Sequence, residues 1–448
     1  MDSTRVYARW RPLSRPEAQR GEIHRATTPS SQPLHSISIK RQSPGQDHPW
    51  TSPPAFNAVF TPDDNNRTVY NAVVAPTIPR MLRGENCSFF AYGHSGSGKT
   101  HTILGYDFQD TQELGLCLAA AKELFDALHR LSDQPEMAGG NRMGIGFSLF
   151  ELRRKTAFDL LNHRTQCHVR EGPDGKVHVR GETETLQDGR VRVRPIVQRA
   201  CWDFGSLRGE LVQALTQRAT GTSTVHDQSS RTHAVLELEV VSQPLVDARL
   251  ELYDRQSELV PVGKRAIDVR VEEDMRGVIQ GPDGKWAPNP DYQRDQARVD
   301  AVEAEQAEFE GRVTAAEEKI EDILKSSASP CLGAKMVFVD LAGAEYYDGN
   351  GAGSNGVQSR KQTPQELQEG RQINTDLLAL KEVMRAWSQG QKRIPFRSST
   401  LTMVLREHFM RTGKGNSTII VTVSPAAEQY AATLNSLKYA SLVGAPST

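Results

Sequence analysis

The sequence predicts an α/β protein, a three-layer sandwich in which helices cover both faces of a sheet. Two observations carry this expectation. Short apolar runs suited to buried strands alternate along the 448 residues with longer helical stretches. One of those runs leads directly into a full G-x-x-x-x-G-K-T segment, the strand–loop–helix context that a phosphate-binding loop requires.

Taken in order, the predicted strands are VYARW at the start, CSFFAY before Gly93, IGFSLFEL from Ile145, AVLELEVV from Ala234, MVFVDLA from Met336 and STIIVTVS near the end. AAAKELFDALHRL and DLLALKEVMRAW read as helices between them. Residues 25 to 55, rich in Ser, Pro and Gln, read as an exposed loop or distorted hairpin, and residues 348 to 364 as a mobile glycine-rich stretch; neither is expected in a core. An insertion at 243–333 breaks the alternation. Its first half, KRAIDVRV included, reads as short strands, and its second half as a charged helix. Val299, Gln306, Val313 and Ile320 at heptad position a put Val302, Phe309, Ala316 and Ile323 at d. The seam either packs back within the chain or forms a short coiled coil with a partner.

At 37% hydrophobic and 24% charged residues, the composition is that of an ordinary globular protein. Five scattered cysteines with no C-x-x-C pair argue against a zinc site or a disulfide framework and fit a reducing compartment. The opening MDSTRVYARW does not read as a signal peptide, and no apolar run is long enough for a membrane span. A net charge of −1 provides no overall attraction to nucleic acid.

The chemistry begins at Gly93-His94-Ser95-Gly96-Ser97-Gly98-Lys99-Thr100. Its glycines let backbone N–H groups wrap phosphates, Lys99 reaches the β- and γ-phosphates, and the Thr100 hydroxyl ligates magnesium. MVFVDLAGAE ends an apolar strand on Asp340, placed to hold magnesium, with Gly343 offering its N–H to a γ-phosphate and Glu345 following. Ser229 and Ser230 supply adjacent hydroxyls, Ser230 toward the metal, and Arg231 is placed to pair with Glu345. No N-K-x-D sequence for guanine is present, which tilts the base toward adenine.

GHSGSGKTHT, SSRTH, DLAGAE and the run INTDLLALKEVMRAW, IPFRSSTLTMVLREHF, TVSPAAEQYAATLNSLKYA together resemble the kinesin motor domain in content, order and spacing. AFDLLN, LLALKE and LTMVLREHF are similar to the internal-motor, microtubule-depolymerising members. The resemblance implies one motor-type P-loop domain over residues 1–448, around a mixed, mainly parallel sheet of about eight strands. It implies ATP and Mg2+ as cofactors, ATP hydrolysis coupled to microtubule affinity, and a cytoplasmic, cytoskeletal location. By the same resemblance Arg9, Pro12 and His101 border the adenine, Ser229 and Ser230 form a first switch, and Asp340, Gly343 and Glu345 a second. The Arg231–Glu345 pair is then the latch that closes on ATP.

Departures from the family pattern point the other way. His226 stands where the family's first switch carries Asn, and Thr375, Thr400 and Met403 replace frequent basic residues at the expected microtubule-facing end. Arg360, Lys361, Arg371, Lys392, Arg393, Arg397 and Arg406 remain there as basic residues. Only GAPST follows Val443, so neither neck linker nor stalk is expected within this chain. The alternative is a catalytically weak kinesin-fold scaffold that holds nucleotide and engages an unknown partner through the insertion.

Overall fold

The computed structural model describes residues 4–30, 34–41, 48–132, 142–172, 175, 177–187, 190–219, 231–281, 284–344, 364–410 and 416–444. His226, Ser229, Ser230, Glu345, Arg360 and Lys361 lie outside these residues, as does the glycine-rich stretch up to Thr363. The chain forms two compact units. One comprises residues 1–180, 196–241 and 329–448; the other comprises 181–195 and 242–328.

In chain order the strands are β1 (Arg5–Trp10), β2 (His24–Pro29), β3 (His35–Lys40), β4 (Trp50–Thr51), β5 (Ala58–Phe60), β6 (Cys87–Tyr92), β7 (Met143–Arg153), β8 (Thr156–Asp159), β9 (Thr165–Glu171) and β10 (Val177–Thr185). They continue with β11 (Val191–Pro195), β12 (Arg199–Cys201), β13 (His233–Ser242), β14 (Val278–Gln280), β15 (Trp286–Pro288), β16 (Lys335–Asp340) and β17 (Asn416–Val423). All six apolar runs identified in the sequence are strands. In the larger unit they lie in the order β10-β9-β8-β7-β13-β16-β6-β17-β1-β5, with β12 on β7. The strands β16, β6, β17, β1 and β5 run parallel; β13 is antiparallel to β16, and β7 through β10 pair antiparallel with one another. That antiparallel series makes the sheet longer than the roughly eight strands implied by resemblance.

Alternation along the central strands feeds two cores, one on each face. Phe89, Met336, Phe338 and Leu236 pack with the helices Asn66–Val73, Leu116–Ser132 and Phe204–Ala219. Phe90, Val337, Val339 and Val235 pack with the helices Pro364–Ser388, Thr400–Met410 and Tyr430–Gly444. Stacked pairs mark the two faces: Phe89 on Phe338 at 5.0 Å and Phe90 on Phe409 at 5.4 Å.

Two expectations need correction. The segment 25–55 is not merely exposed. Strands β2, β3 and β4 form a small sheet, and Ile37 and Ile39, alternating on one side of β3, are completely buried with Phe56. The Ser and Pro content hid a short period-two pattern, HSISIK.

In the second unit, KRAIDVRV is helical, part of a helix from Gln243 to Arg276 that includes Pro261. The alternating Ile267, Val269 and Val271 suggested a strand. The pattern that wins is Val262, Ala266, Val269 and Glu273, buried at helical spacing. This helix pairs with the Gln296–Ser326 helix, where Val299 and Ala316 of the predicted seam are buried. Ion pairs Lys319–Glu251 at 2.7 Å, Arg265–Glu305 at 3.1 Å and Arg270–Glu303 at 3.3 Å fix an antiparallel register. The β14–β15 hairpin joins the two helices. The seam therefore finds its partner inside the chain.

Truncating Ile39 to Ala should cost about 2–5 kcal/mol, the range for a fully buried isoleucine. Urea denaturation of the variant checks this; a shift near zero would mean that β3 contributes nothing to the core.

Candidate functional site

The candidate nucleotide site gathers at the C-terminal ends of the parallel strands, where open α/β sheets place their ligands. Register sets this up. Asp340 at the tip of β16 lies opposite Ala91 of β6, two residues before Gly93. The segments that leave the two strands stay together: Ala344 N–H donates to the Gly93 carbonyl at 3.2 Å, and His94 bridges Ala344. A Cβ at Gly343 would fall 2.6 Å from the Ser95 Cα, so only glycine permits this approach.

Within the loop, Gly96 and Gly98 adopt left-handed φ of +73° and +103°, which turns the chain tightly toward the short Lys99–Ile103 helix. The Ser97 hydroxyl bonds Thr422 of β17 at 2.7 Å. Lys99 is buried, its ammonium donating to the Gly93 carbonyl at 3.1 Å and the His94 carbonyl at 2.8 Å. Burial pushes its pKa down to about 8, while the Asp340 carboxylate opposes the shift.

Asp340 is 1% exposed. Its Oδ2 accepts from the Thr100 hydroxyl at 2.8 Å and from Arg218 at 3.3 Å, while Oδ1 is buried with no hydrogen-bond partner. A buried, unpartnered carboxylate oxygen beside a threonine hydroxyl suits a hard cation with oxygen ligands. Magnesium and phosphate therefore fit Lys99, Thr100 and Asp340.

Arg218 and Glu151 were not identified from the sequence. Arg218 Nε donates to Glu151 Oε1 at 2.7 Å, and the Thr232 hydroxyl donates to the same oxygen at 2.9 Å. A signal was present: Leu207, Leu211 and Ala214 form the buried stripe of the Phe204–Ala219 helix, and Arg218 occupies its next position. A charged residue on a buried stripe calls for a partner. Ser229 and Ser230 of the predicted first switch lie outside the described residues; Arg231, which follows them, shares a small cavity with Glu151, Arg218 and Thr232.

The three residues assigned to the adenine are placed differently from one another. Arg9 is buried and spends its guanidinium on Asn66 Oδ1 at 2.6 Å, the Thr102 hydroxyl at 2.8 Å and the Asp64 carbonyl at 3.3 Å. It thus clamps the Lys99–Ile103 helix to the Asn66–Val73 helix. Pro12 is exposed, and neighbouring Arg11 lies against Gly98. His101 keeps part of its ring in solvent, 5.6 Å from the exposed ring of Tyr106.

Among the basic residues of the proposed microtubule face, Arg397 forms a two-pronged pair with Glu171 at 2.8 Å, and Arg406 joins it at 3.2 Å. Arg371, Lys392 and Arg393 are exposed. Thr375 turns its hydroxyl back to the Arg371 carbonyl at 2.9 Å.

A family model described as the kinesin motor domain matches residues 9–260 and 312–445. The interruption falls within the helical insertion. Similar curated proteins include kinesin-like protein KIN-13A of Oryza sativa subsp. japonica, 28% identical over 98% of this chain and 40% of its own length. Kinesin-like protein KIF24 of Homo sapiens is 26% identical over 99% of this chain and 24% of its own length. The chain thus spans well under half of either relative. Among solved structures, the motor domain of the Kar3-like kinesin from Ashbya gossypii aligns with a TM-score of 0.59 at 18% identity, covering 99% of this chain and all of that one. A KIF14 dimer with AMP-PNP in complex with a microtubule aligns at 0.60 and 20% identity, over 99% of this chain and 94% of that one.

The site also makes a pH prediction. Burial drives His94 and His233 down to about 3 from 6.5. The unfolded chain takes up protons between pH 6.5 and 3 that these folded imidazoles refuse. Their share of stability is therefore complete above pH 6.5 and lost as pH falls through that window, by up to about 1.4 kcal/mol per pH unit for each. His94→Gln should flatten the profile of unfolding free energy between pH 6 and 4; an unchanged slope would show that His94 is protonated in the folded state.

Proposed function

The chain belongs to the kinesin motor domain family, and from that premise we propose that it is an ATPase whose Mg-ATP cycle changes its hold on microtubules. The observation that carries the reading is the meeting of Lys99, Thr100 and Asp340, with Asp340 Oδ1 left unpartnered. Magnesium, when bound, neutralises charge on the phosphate oxygens. Thr100 and Asp340 would hold it, with Ser230 of the first switch. Lys99, which here bonds the Gly93 and His94 carbonyls, would give its ammonium to the β- and γ-phosphates. Gly343 presents its N–H to the γ-phosphate, and Ser229 belongs with Ser230 to the first switch. Arg231 and Glu345 latch the two switches when ATP is present.

Arg9 serves the base indirectly, by fixing the helix that carries His101, while Pro12 and His101 border the adenine from the solvent side. The Pro364–Ser388 helix, which shares a core with Leu341 and Ala342, carries the change to the microtubule face through Arg371 on the helix and Lys392 and Arg393 just beyond its end. We place the protein on the cytoplasmic cytoskeleton.

A second reading has its own observation. Ser242–Ala328 carries 20 acidic against 12 basic residues in a chain of net charge −1. Its first helix exposes Val260, Ile267, Val271 and Met275 along one side. An acidic unit is repelled by tubulin's acidic surface, so the insertion suits another partner, as a scaffold would require.

ATP turnover measured with and without polymerised microtubules separates the two. Stimulated turnover that falls by about 100-fold or more in Lys99→Ala is the expected result. Intact ATP binding with slow, unstimulated turnover would replace the motor reading with the scaffold.

A further inference from the structure

The small cavity lined by Arg218 and Arg231 is more than a gap in the packing. Among the described residues that line it, four guanidinium groups, Arg153, Arg164, Arg218 and Arg231, outnumber two carboxylates, Glu151 and Glu369. Both carboxylates are already engaged: Glu151 by Arg218 at 2.7 Å, and Glu369 by Arg153 at 2.5 Å and by Arg154 at 3.4 Å. Arg164 is left short. Its Nε–H is buried with no hydrogen-bond partner, and the nearest carboxylate oxygen, Glu151 Oε2, is 3.8 Å away. The guanidinium also lies over the Phe158 ring at 5.0 Å, which steadies the side chain without satisfying that donor.

The backbone makes the same point independently. Among the described residues, the non-glycine positions with positive φ are Arg154, His163 and Arg164, at +57°, +51° and +59°. All three sit in the turns on either side of β8, and of the three Arg164 lines the cavity. In the second turn Thr165 N–H closes onto the Asn162 carbonyl at 2.9 Å, with His163 and Arg164 as the two left-handed central residues. Such a turn favours Asn-Gly. Glycine would relieve position 164, yet an arginine stands there and delivers an unpartnered donor to an arginine-lined cavity.

We propose that this cavity is a second anion subsite, distinct from the phosphate loop, that takes a tetrahedral oxyanion, inorganic phosphate. Guanidinium forks match phosphate oxygens two at a time, and the orphaned Arg164 donor gains the partner it lacks. Arg218 joins the subsite to the nucleotide site, since it bonds Asp340 at 3.3 Å and Asp340 bonds Thr100 at 2.8 Å. The source of the phosphate rests on the ATPase reading; the subsite itself does not.

The test is calorimetric titration of the full chain with inorganic phosphate. Wild type should bind phosphate, and Lys99→Ala should still bind one, because the subsite does not use the loop lysine. Arg164→Gly suits the left-handed turn, so it should keep its melting temperature while binding phosphate about tenfold more weakly or worse. Arg164→Lys should recover part of the affinity. No binding by wild type, loss of binding in Lys99→Ala, or undiminished affinity in Arg164→Gly would each overturn the subsite. A single turnover of ATP, followed with a phosphate-capturing sensor, then identifies the source. Release that lags cleavage in wild type, with a shorter lag in Arg164→Gly, makes product phosphate the occupant. Phosphate binding without any ATP cleavage sinks the ATPase reading and leaves a subsite for free phosphate.

Discussion

Asp340 Oδ2 is shared between a threonine hydroxyl and an arginine, and much of the structure is arranged so that this buried oxygen can exist. A carboxylate with 1% exposure is costly unless it is paired, and Arg218 supplies the pairing charge. Arg218 is itself buried and needs Glu151 as well, so a single guanidinium ties β7, β16 and the Phe204–Ala219 helix together. Removing the arginine would strand two carboxylates in the interior. The same arrangement leaves Asp340 Oδ1 without a partner, a cost that makes sense where a cation is to be received.

Around that point the sheet acts as a ruler. The parallel register of β6, β16 and β17 brings the Gly93 turn, the Asp340 tip and Thr422 to one level. Ser97 is held by Thr422, and Gly343 touches Ser95 closely enough to exclude any side chain. Loop and strand tip therefore cannot move independently by much. A change at one is felt at the other, the mechanical property a phosphate-sensing switch needs.

The insertion follows other rules. Its two helices hold each other through a thin apolar seam and a ladder of cross-helix ion pairs, many of them half-exposed and individually weak. The kinesin family model skips residues 261–311, within this hairpin. This part of the chain thus lies outside what the family model matches.

The strands, the phosphate loop and the Asp340 tip were legible in the sequence because each depends on a local pattern: an apolar run of strand length, glycines at fixed spacing, a carboxylate where such a run ends. The sheet's order was not, nor was the burial of Ile37 and Ile39, whose short alternation lies among turn-forming residues. KRAIDVRV misled because alternating β-branched residues suit a strand, and only the facing helix decides that Val262, Ala266 and Val269 form the working face. Arg218 and Glu151 lie 67 residues apart and neither belongs to a motif; their pairing exists only once β7 and the Phe204–Ala219 helix are side by side. Local patterning thus determined which elements form and which residues gather at the candidate nucleotide site. Tertiary structure decided which buried charges neutralise one another, because a desolvated charge is satisfied by whatever the fold brings within a few ångströms, at any distance along the chain.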